Sequence, residues 1–182
     1  MRKEFYKKIE IPEGIEVEID NGLVKVKGPE GENSRTFLLG KVELRKDPGG
    51  KEIQVGSKVA TKKEKKMINT IVSHIKNMIA GTRKRFEYEL KVVFSHFPVT
   101  VEVKGREVLI KNFLGEKVAR KTKMPEGADI EVNGNLIKIS STDKEIAGQA
   151  AARLETATKI RARDRRIFQD GIFMTKKSGR EV

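Results

Sequence analysis

The chain has 182 residues, no cysteine, 36% charged residues and a formal net charge of +13. The lack of cysteine excludes disulfides, cysteine-based zinc sites and thiol catalysis, and a positive surplus of this size attracts polyanions. Hydrophobic residues make up 37%, too few for one wide core but enough for two thin domains that each bury one sheet face under one helix.

Residues 11–28 open the chain's pattern, with Ile15, Val17 and Ile19 alternating with polar residues and Leu23, Val24 and Val26 following a turn at Asn21-Gly22. Period-two alternation around such a turn predicts a tight hairpin of half-buried strands. Residues 35–39, 41–45 and 52–55 read as further strands, with a turn at 47–50. The apolar residues Met67, Ile68, Ile71, Val72, Ile75, Met78 and Ile79 recur at helical spacing and predict a helix over 62–80. Thr61 is placed to cap its start and Gly81 to stop it. Lys62, Lys63, Lys65 and Lys66 oppose the dipole at that start and read as a solvated face.

A strand over 85–94 opens the second half, and 97–113 repeats the first hairpin, Val99, Val101 and Val103 matching Ile15, Val17 and Ile19 around Lys104-Gly105. A third hairpin at 124–141 carries a Pro-Glu-Gly like that at 12–14. A second helix is expected over 143–161, its start marked by a Thr142/Glu145 capping box and its buried face by Ile146, Ala150, Leu154, Ala157 and Ile160. In each half, strands are followed by one helix. The expected fold is therefore α+β: two tandem repeats of a small domain, 1–84 and 85–182, each a mainly antiparallel twisted sheet packed against one long helix.

Residues 1–90 carry 20 basic and 14 acidic residues and 91–182 carry 19 and 12, so net charge favours neither half. Local density does. Lys159, Arg161, Arg163, Arg165 and Arg166 fall within eight residues with one Asp, and Lys176 and Lys177 follow. Each such residue that meets a phosphate releases condensed counterions, and Arg grips phosphate in two-pronged fashion. A second basic cluster, Lys111, Lys117, Arg120 and Lys121, lies beside Phe113. Phe113 is expected in the core, with the basic residues free to touch RNA.

Ordered motifs along the chain carry a resemblance. They are Val26-Lys27-Gly28-Pro29, Thr70-Ile71-Val72-Ser73-His74, His96-Phe97-Pro98, Ile110-Lys111-Asn112-Phe113-Leu114-Gly115 and Arg163-Asp164-Arg165-Arg166-Ile167-Phe168-Gln169-Asp170-Gly171-Ile172-Phe173. With them the chain resembles the ribosomal protein L6 family of the large ribosomal subunit, in its archaeal–eukaryotic form. It lacks the Pro-, Tyr- and Gly-rich ending of the bacterial form. The resemblance implies a non-catalytic ribosomal component of the cytoplasm that binds large-subunit rRNA near the sarcin–ricin loop, where translation factors dock. It implies neighbouring ribosomal proteins as partners, with translational GTPases and the stalk base beside a more exposed first domain. It implies that the second domain makes most of the RNA contact, through 111–123 and 159–177. Phe168 and Phe173 are expected to pin that tail to the domain, with a turn at Asp170-Gly171.

An enzyme is disfavoured: His74 and His96 lie in separate segments and pair with no nucleophile at a recognisable spacing, and no glycine-rich phosphate loop follows a strand. A free-standing RNA-binding module is disfavoured because no aromatic RNP pattern, GxxG clamp or helix-turn-helix is present. A protein–protein adaptor would need an exposed apolar patch. No metal, cofactor, membrane association or homo-oligomer is expected. No run of about eighteen apolar residues exists, and the basic N-terminal residues lack the apolar stretch of a secretory signal.

Overall fold

The computed structural model describes residues 3–181 and divides the chain into two units, 1–85 and 86–182. The first unit contains β1 (Lys3–Glu10), β2 (Glu16–Asp20), β3 (Leu23–Gly28), β4 (Gly31–Thr36), β5 (Glu43–Lys46), β6 (Glu52–Ala60) and α1 (Lys62–Arg83). The second contains β7 (Phe86–Val93), β8 (Thr100–Lys104), β9 (Glu107–Lys111), β10 (Arg120–Lys123), β11 (Asp129–Asn133), β12 (Leu136–Ser141) and α2 (Lys144–Ala157), and adds β13 (Gly171–Lys177) and β14 (Arg180–Glu181).

The two units repeat one plan. Three strands form the meander β2-β3-β4 in one unit and β8-β9-β10 in the other. A second sheet runs β1-β6-β5 in the first unit and β11-β12-β7-β13-β14 in the second, and its ladders are antiparallel in both. The fold is α+β with tandem domains, as the alternation and the two helical stripes predict. The finer picture is two small sheets per domain rather than one.

Alternation decides which strand faces go inside. Val17, Val24 and Val26 are buried beside Ile53 and Val55, under Ile68, Ile71, Val72 and Ile75 of α1. In the second unit Val108, Ile110, Leu90, Ile137 and Ile139 are buried under Ala147, Ala150, Ala151 and Leu154 of α2. The small Ala side chains let α2 lie close to its sheet. The hairpin turns use left-handed backbone where it was expected, at Asn21 (φ 42°), Gly22 (φ 90°) and Gly105 (φ 59°).

Several boundaries differ from those read in the sequence. Gly81 does not stop α1, which continues to Arg83. The buried Thr82 hydroxyl donates to the Met78 and Ile79 carbonyls at 3.1 and 3.2 Å, and its own carbonyl accepts the Glu30 N–H at 3.0 Å. Residues 37–39 form a loop rather than a strand, although Phe37 and Leu39 still pack on the core. The helix α2 begins at Asp143 as cap, whose carboxylate accepts the Glu145 N–H at 2.8 Å, not at a Thr142 capping box. It ends at Ala157, four residues short of the expected 161.

Thr61 does cap α1: its side chain accepts from Lys63 N–H at 3.3 Å and Glu64 returns to the Thr61 N–H at 2.8 Å. Hydrogen bonds from the Thr61 hydroxyl and backbone hold the Glu64 carboxyl below its ordinary value. Thr61→Ala is expected to cost about 1 kcal/mol, seen as an earlier midpoint of the first unit in urea denaturation with an unchanged slope.

Candidate RNA interface

The basic tail cluster does not ride on the end of α2. It lies in the irregular segment between Ala157 and Gly171, and Lys159, Arg161, Arg163, Arg165 and Arg166 are all exposed. The segment leaves the helix because Thr158 is claimed from the far side. Its buried hydroxyl accepts the Ile172 N–H at 2.9 Å, which ties the end of α2 to the second residue of β13. Within the segment, Asp164 gathers the Arg166 N–H at 2.9 Å and its guanidinium at 2.8 Å, and its carbonyl accepts the Phe168 N–H at 2.9 Å. The Arg166 hydrogen bonds hold the Asp164 carboxyl below its ordinary value.

The other end of the segment is locked by Asp170, which is 1% exposed. Its carboxylate accepts the Ser95 hydroxyl at 2.9 Å, the Ser95 N–H at 3.2 Å, the His96 N–H at 3.3 Å and the His96 Nδ1 at 2.9 Å. Burial pushes this carboxyl up, but the hydrogen bonds from His96 and Ser95 together outweigh it and leave it below its ordinary value. The His96 ring stacks on Phe168 with centroids 4.8 Å apart, and the Arg163 guanidinium lies 4.8 Å from the Phe168 centroid. Phe168 therefore holds the tail, as expected. Phe173 is half-exposed on β13. Asp170-Gly171 is not a left-handed turn, because Gly171 begins β13. A Cβ on Gly171 would come within 3.0 Å of the Phe173 ring.

The loop over 111–123 meets this segment. Phe113 is buried, as expected, and Arg120 covers its ring at 4.4 Å. Arg120 also donates to both Glu116 oxygens, at 2.8 and 2.6 Å, and to the Ala157 carbonyl at 2.8 Å. A cation on the last carbonyl of α2 complements the negative end of the helix. The pairing with Glu116 pushes the Arg120 guanidinium further up and the Glu116 carboxyl down. Arg120 is thus a joint between the two basic segments. Around it lies a cavity of about 440 Å³ lined by Leu114, Glu116, Arg120, Lys121, Lys159, Arg161 and Arg163, with Thr156, Ala157 and Ile160.

The fold so brings together five of the basic residues singled out in the sequence, from two segments about forty residues apart: Arg120, Lys121, Lys159, Arg161 and Arg163. It places the others elsewhere. Lys111 pairs with Glu102 at 2.5 Å and Lys176 with Glu89 at 3.1 Å. Lys117 and Lys177 do not line the cavity, and Arg165 faces a neighbouring apolar cleft with Val93, Ile160, Phe168 and Phe173. Ser95, Thr158 and Asp170 are the residues that sequence reasoning missed. Their roles depend on partners 14 to 75 positions away, and no local pattern marks such pairs.

The duplication is matched by comparison with known proteins. The model of the family Ribosomal protein L6 matches twice, over residues 11–85 and 97–171. The chain belongs to the ribosomal protein L6 family. It is similar to the large ribosomal subunit protein uL6 of Methanobrevibacter smithii, 46% identical over 93% of this chain and 94% of the relative. It is 44% identical to that of Ignicoccus hospitalis over 91% of each chain. It is 43% identical to that of Sulfurisphaera tokodaii over 94% of this chain and 92% of the relative. Family membership makes the chain a structural protein of the cytoplasmic ribosome, of archaeal type and without enzymatic activity. One matched segment falls in each structural repeat, each beginning after the repeat's first strand, and the second ends at the first residue of β13.

Proposed function

We propose that the chain is built into the large ribosomal subunit by binding large-subunit rRNA through its second unit, near the sarcin–ricin loop and the region where translation factors dock. The observation that carries the RNA reading is the convergence of Arg120, Lys121, Lys159, Arg161 and Arg163 on one cavity. Of the five, Arg120 is held by Glu116 and Arg163 lies against Phe168 before any phosphate arrives. Ordering those two on RNA then costs less conformational entropy in the protein. The location on the subunit rests on the family resemblance. The same resemblance supports a first unit facing neighbouring ribosomal proteins, translational GTPases and the stalk base.

The test is salt-dependent binding of the full chain to large-subunit rRNA fragments. Replacing Arg161, Arg163 and Lys159 together by Gln is expected to weaken binding more than about tenfold. The slope of affinity against salt should fall by about one for every phosphate that is no longer neutralised. Replacing Lys62, Lys63 and Lys66 by Gln is expected to change neither. Equal losses from the two triple variants would overturn the assignment of RNA affinity to the second unit.

A further inference from the structure

The duplication exposes a difference between the two copies. In the second unit β7 is an interior strand, paired with β12 on one side and β13 on the other. Its counterpart β1 pairs, among the described residues, with β6 alone. Backbone hydrogen bonds fix the correspondence. Ile11 N–H donates to Lys51 O and Val92 N–H to Asn135 O, both at 2.8 Å. Ile9 faces Ile53 as Leu90 faces Ile137, and Lys7 faces Val55 as Tyr88 faces Ile139. Lys8 and Glu10, alternating with Ile9 and Ile11, therefore turn their N–H and C=O groups to the open edge.

The helices correspond as well. Ile68, Ile71, Val72 and Ile75 are buried in α1 with the same spacing as Ala147, Ala150, Ala151 and Leu154 in α2. This sets Lys76 where Glu155 stands and Ile79 where Thr158 stands. In the second unit those two residues hold β13: Glu155 accepts the Met174 N–H and Thr158 the Ile172 N–H, each at 2.9 Å. In the first unit the same place is an open groove of about 520 Å³, lined by Lys8, Ile9, Glu10, Pro12, Lys76, Ile79, Ala80 and Arg83.

We propose that this groove receives an extended, acidic segment of another protein, which adds to β1 as an antiparallel strand in the position β13 occupies in the sibling repeat. An open strand edge supplies a ladder that suits a peptide backbone. Ile9, Ile79 and Ala80 offer an apolar floor for alternate side chains. The charge selects the partner. Where β13 meets the acidic Glu155, the groove presents Lys76, with Lys8 and Arg83 also lining it and Glu10 as the one acid. Lys8 already pairs with Glu52 at 2.9 Å. A second copy of this chain is a poor occupant, because its β13 ends in Lys176 and Lys177 and would bring like charge. This proposal is independent of the RNA reading of the second unit.

The test uses the full chain and two short synthetic peptides, one of alternating Glu and Val and one of alternating Lys and Val, followed by backbone amide shifts. The acidic peptide is expected to bind and to shift the amides of Lys8 and Glu10, and the basic one to leave them unchanged. Lys8→Pro removes an outward N–H and is expected to weaken binding at least about tenfold, as the loss of about 1.4 kcal/mol would. Lys76→Glu, a surface change that leaves the core intact, is expected to shift preference toward the basic peptide. The proposal fails if the acidic peptide leaves those amides unmoved, if both peptides bind alike, or if a short RNA oligonucleotide takes the same amides in preference.

Discussion

Asp170→Ala is expected to destabilise the second unit by about 2 to 3 kcal/mol and to weaken RNA binding about tenfold, while the first unit melts as before. The carboxylate is 1% exposed and accepts four hydrogen bonds from Ser95 and His96. Removing it leaves those donors to find water, which they reach because the His96 side chain is 32% exposed. That access keeps the cost at the lower end of what a broken buried charge network costs. The RNA effect follows from the same hydrogen bonds. Without Asp170 the segment carrying Arg161, Arg163 and Arg165 loses one anchor, and ordering it on RNA then costs free energy that the native protein has already met on folding. Thermal unfolding followed by far-UV circular dichroism, together with rRNA-fragment binding, measures both. The pH dependence has a definite sign. The Asp170 carboxyl is held below its ordinary value, so its contribution is fully present above the unfolded carboxylate pKa of about 3.9 and is lost as pH falls through the lower folded value. The stability gap between the native chain and Asp170→Asn should therefore close as pH falls from about 4 into stronger acid. A gap that stays open there would show that the carboxylate is not the anchoring form.

Gly56→Ala is expected to cost the first unit about 3 kcal/mol, a fall in its melting temperature of more than about 10 °C. Gly56 lies on β6 opposite Tyr6. A Cβ there would overlap the Tyr6 ring and stand 2.6 Å from the Phe5 carbonyl oxygen. The ring can move only by giving up its place beside β6 and its 3.4 Å hydrogen bond to Glu43, and the carbonyl belongs to the backbone of β1. Gly56→Ala combined with Tyr6→Leu should recover part of the loss but not all, because the clash with the Phe5 carbonyl remains. Recovery of full stability would assign the whole effect to the ring.

Much of this architecture is readable in the residues themselves. Strict alternation at Val17, Val24 and Val26 fixes which face of the first hairpin is buried, and Ile68, Ile71, Val72 and Ile75 fix the inner face of α1. Charge density is equally local, so the clustering of basic residues in both segments is legible. What is not legible depends on distant partners. The end of α1 is extended past Gly81 by a buried Thr82 that reaches across to Glu30. The end of α2 is cut short by Thr158, whose hydroxyl accepts from β13. Phe37 and Leu39 alternate like strand residues, and the Phe37 N–H still donates to the Gly22 carbonyl at 2.8 Å in line with the β3–β4 ladder, but β4 itself ends at Thr36. The cavity shared by Arg120 and Arg163 has Arg120 bridging Glu116, four residues before it, and the Ala157 carbonyl at the end of α2, 37 positions away and unmarked by local sequence.

The late position of β13 in the chain order bears on how the molecule is made. Every ladder of the first unit joins strands that are complete before α1 has been synthesised, so that unit can condense early during translation of its own message. The second unit cannot. Its strand β7 stays open on one side until residues 171–177 are available, about eighty residues later. Closing so long a loop is slow and leaves an unpaired edge in the meantime. The hydrogen bonds of Thr158 and Asp170 that present Arg161 and Arg163 bracket the same strand. The basic surface proposed above to bind RNA is consequently completed only after the sheet of the second unit has closed on β13.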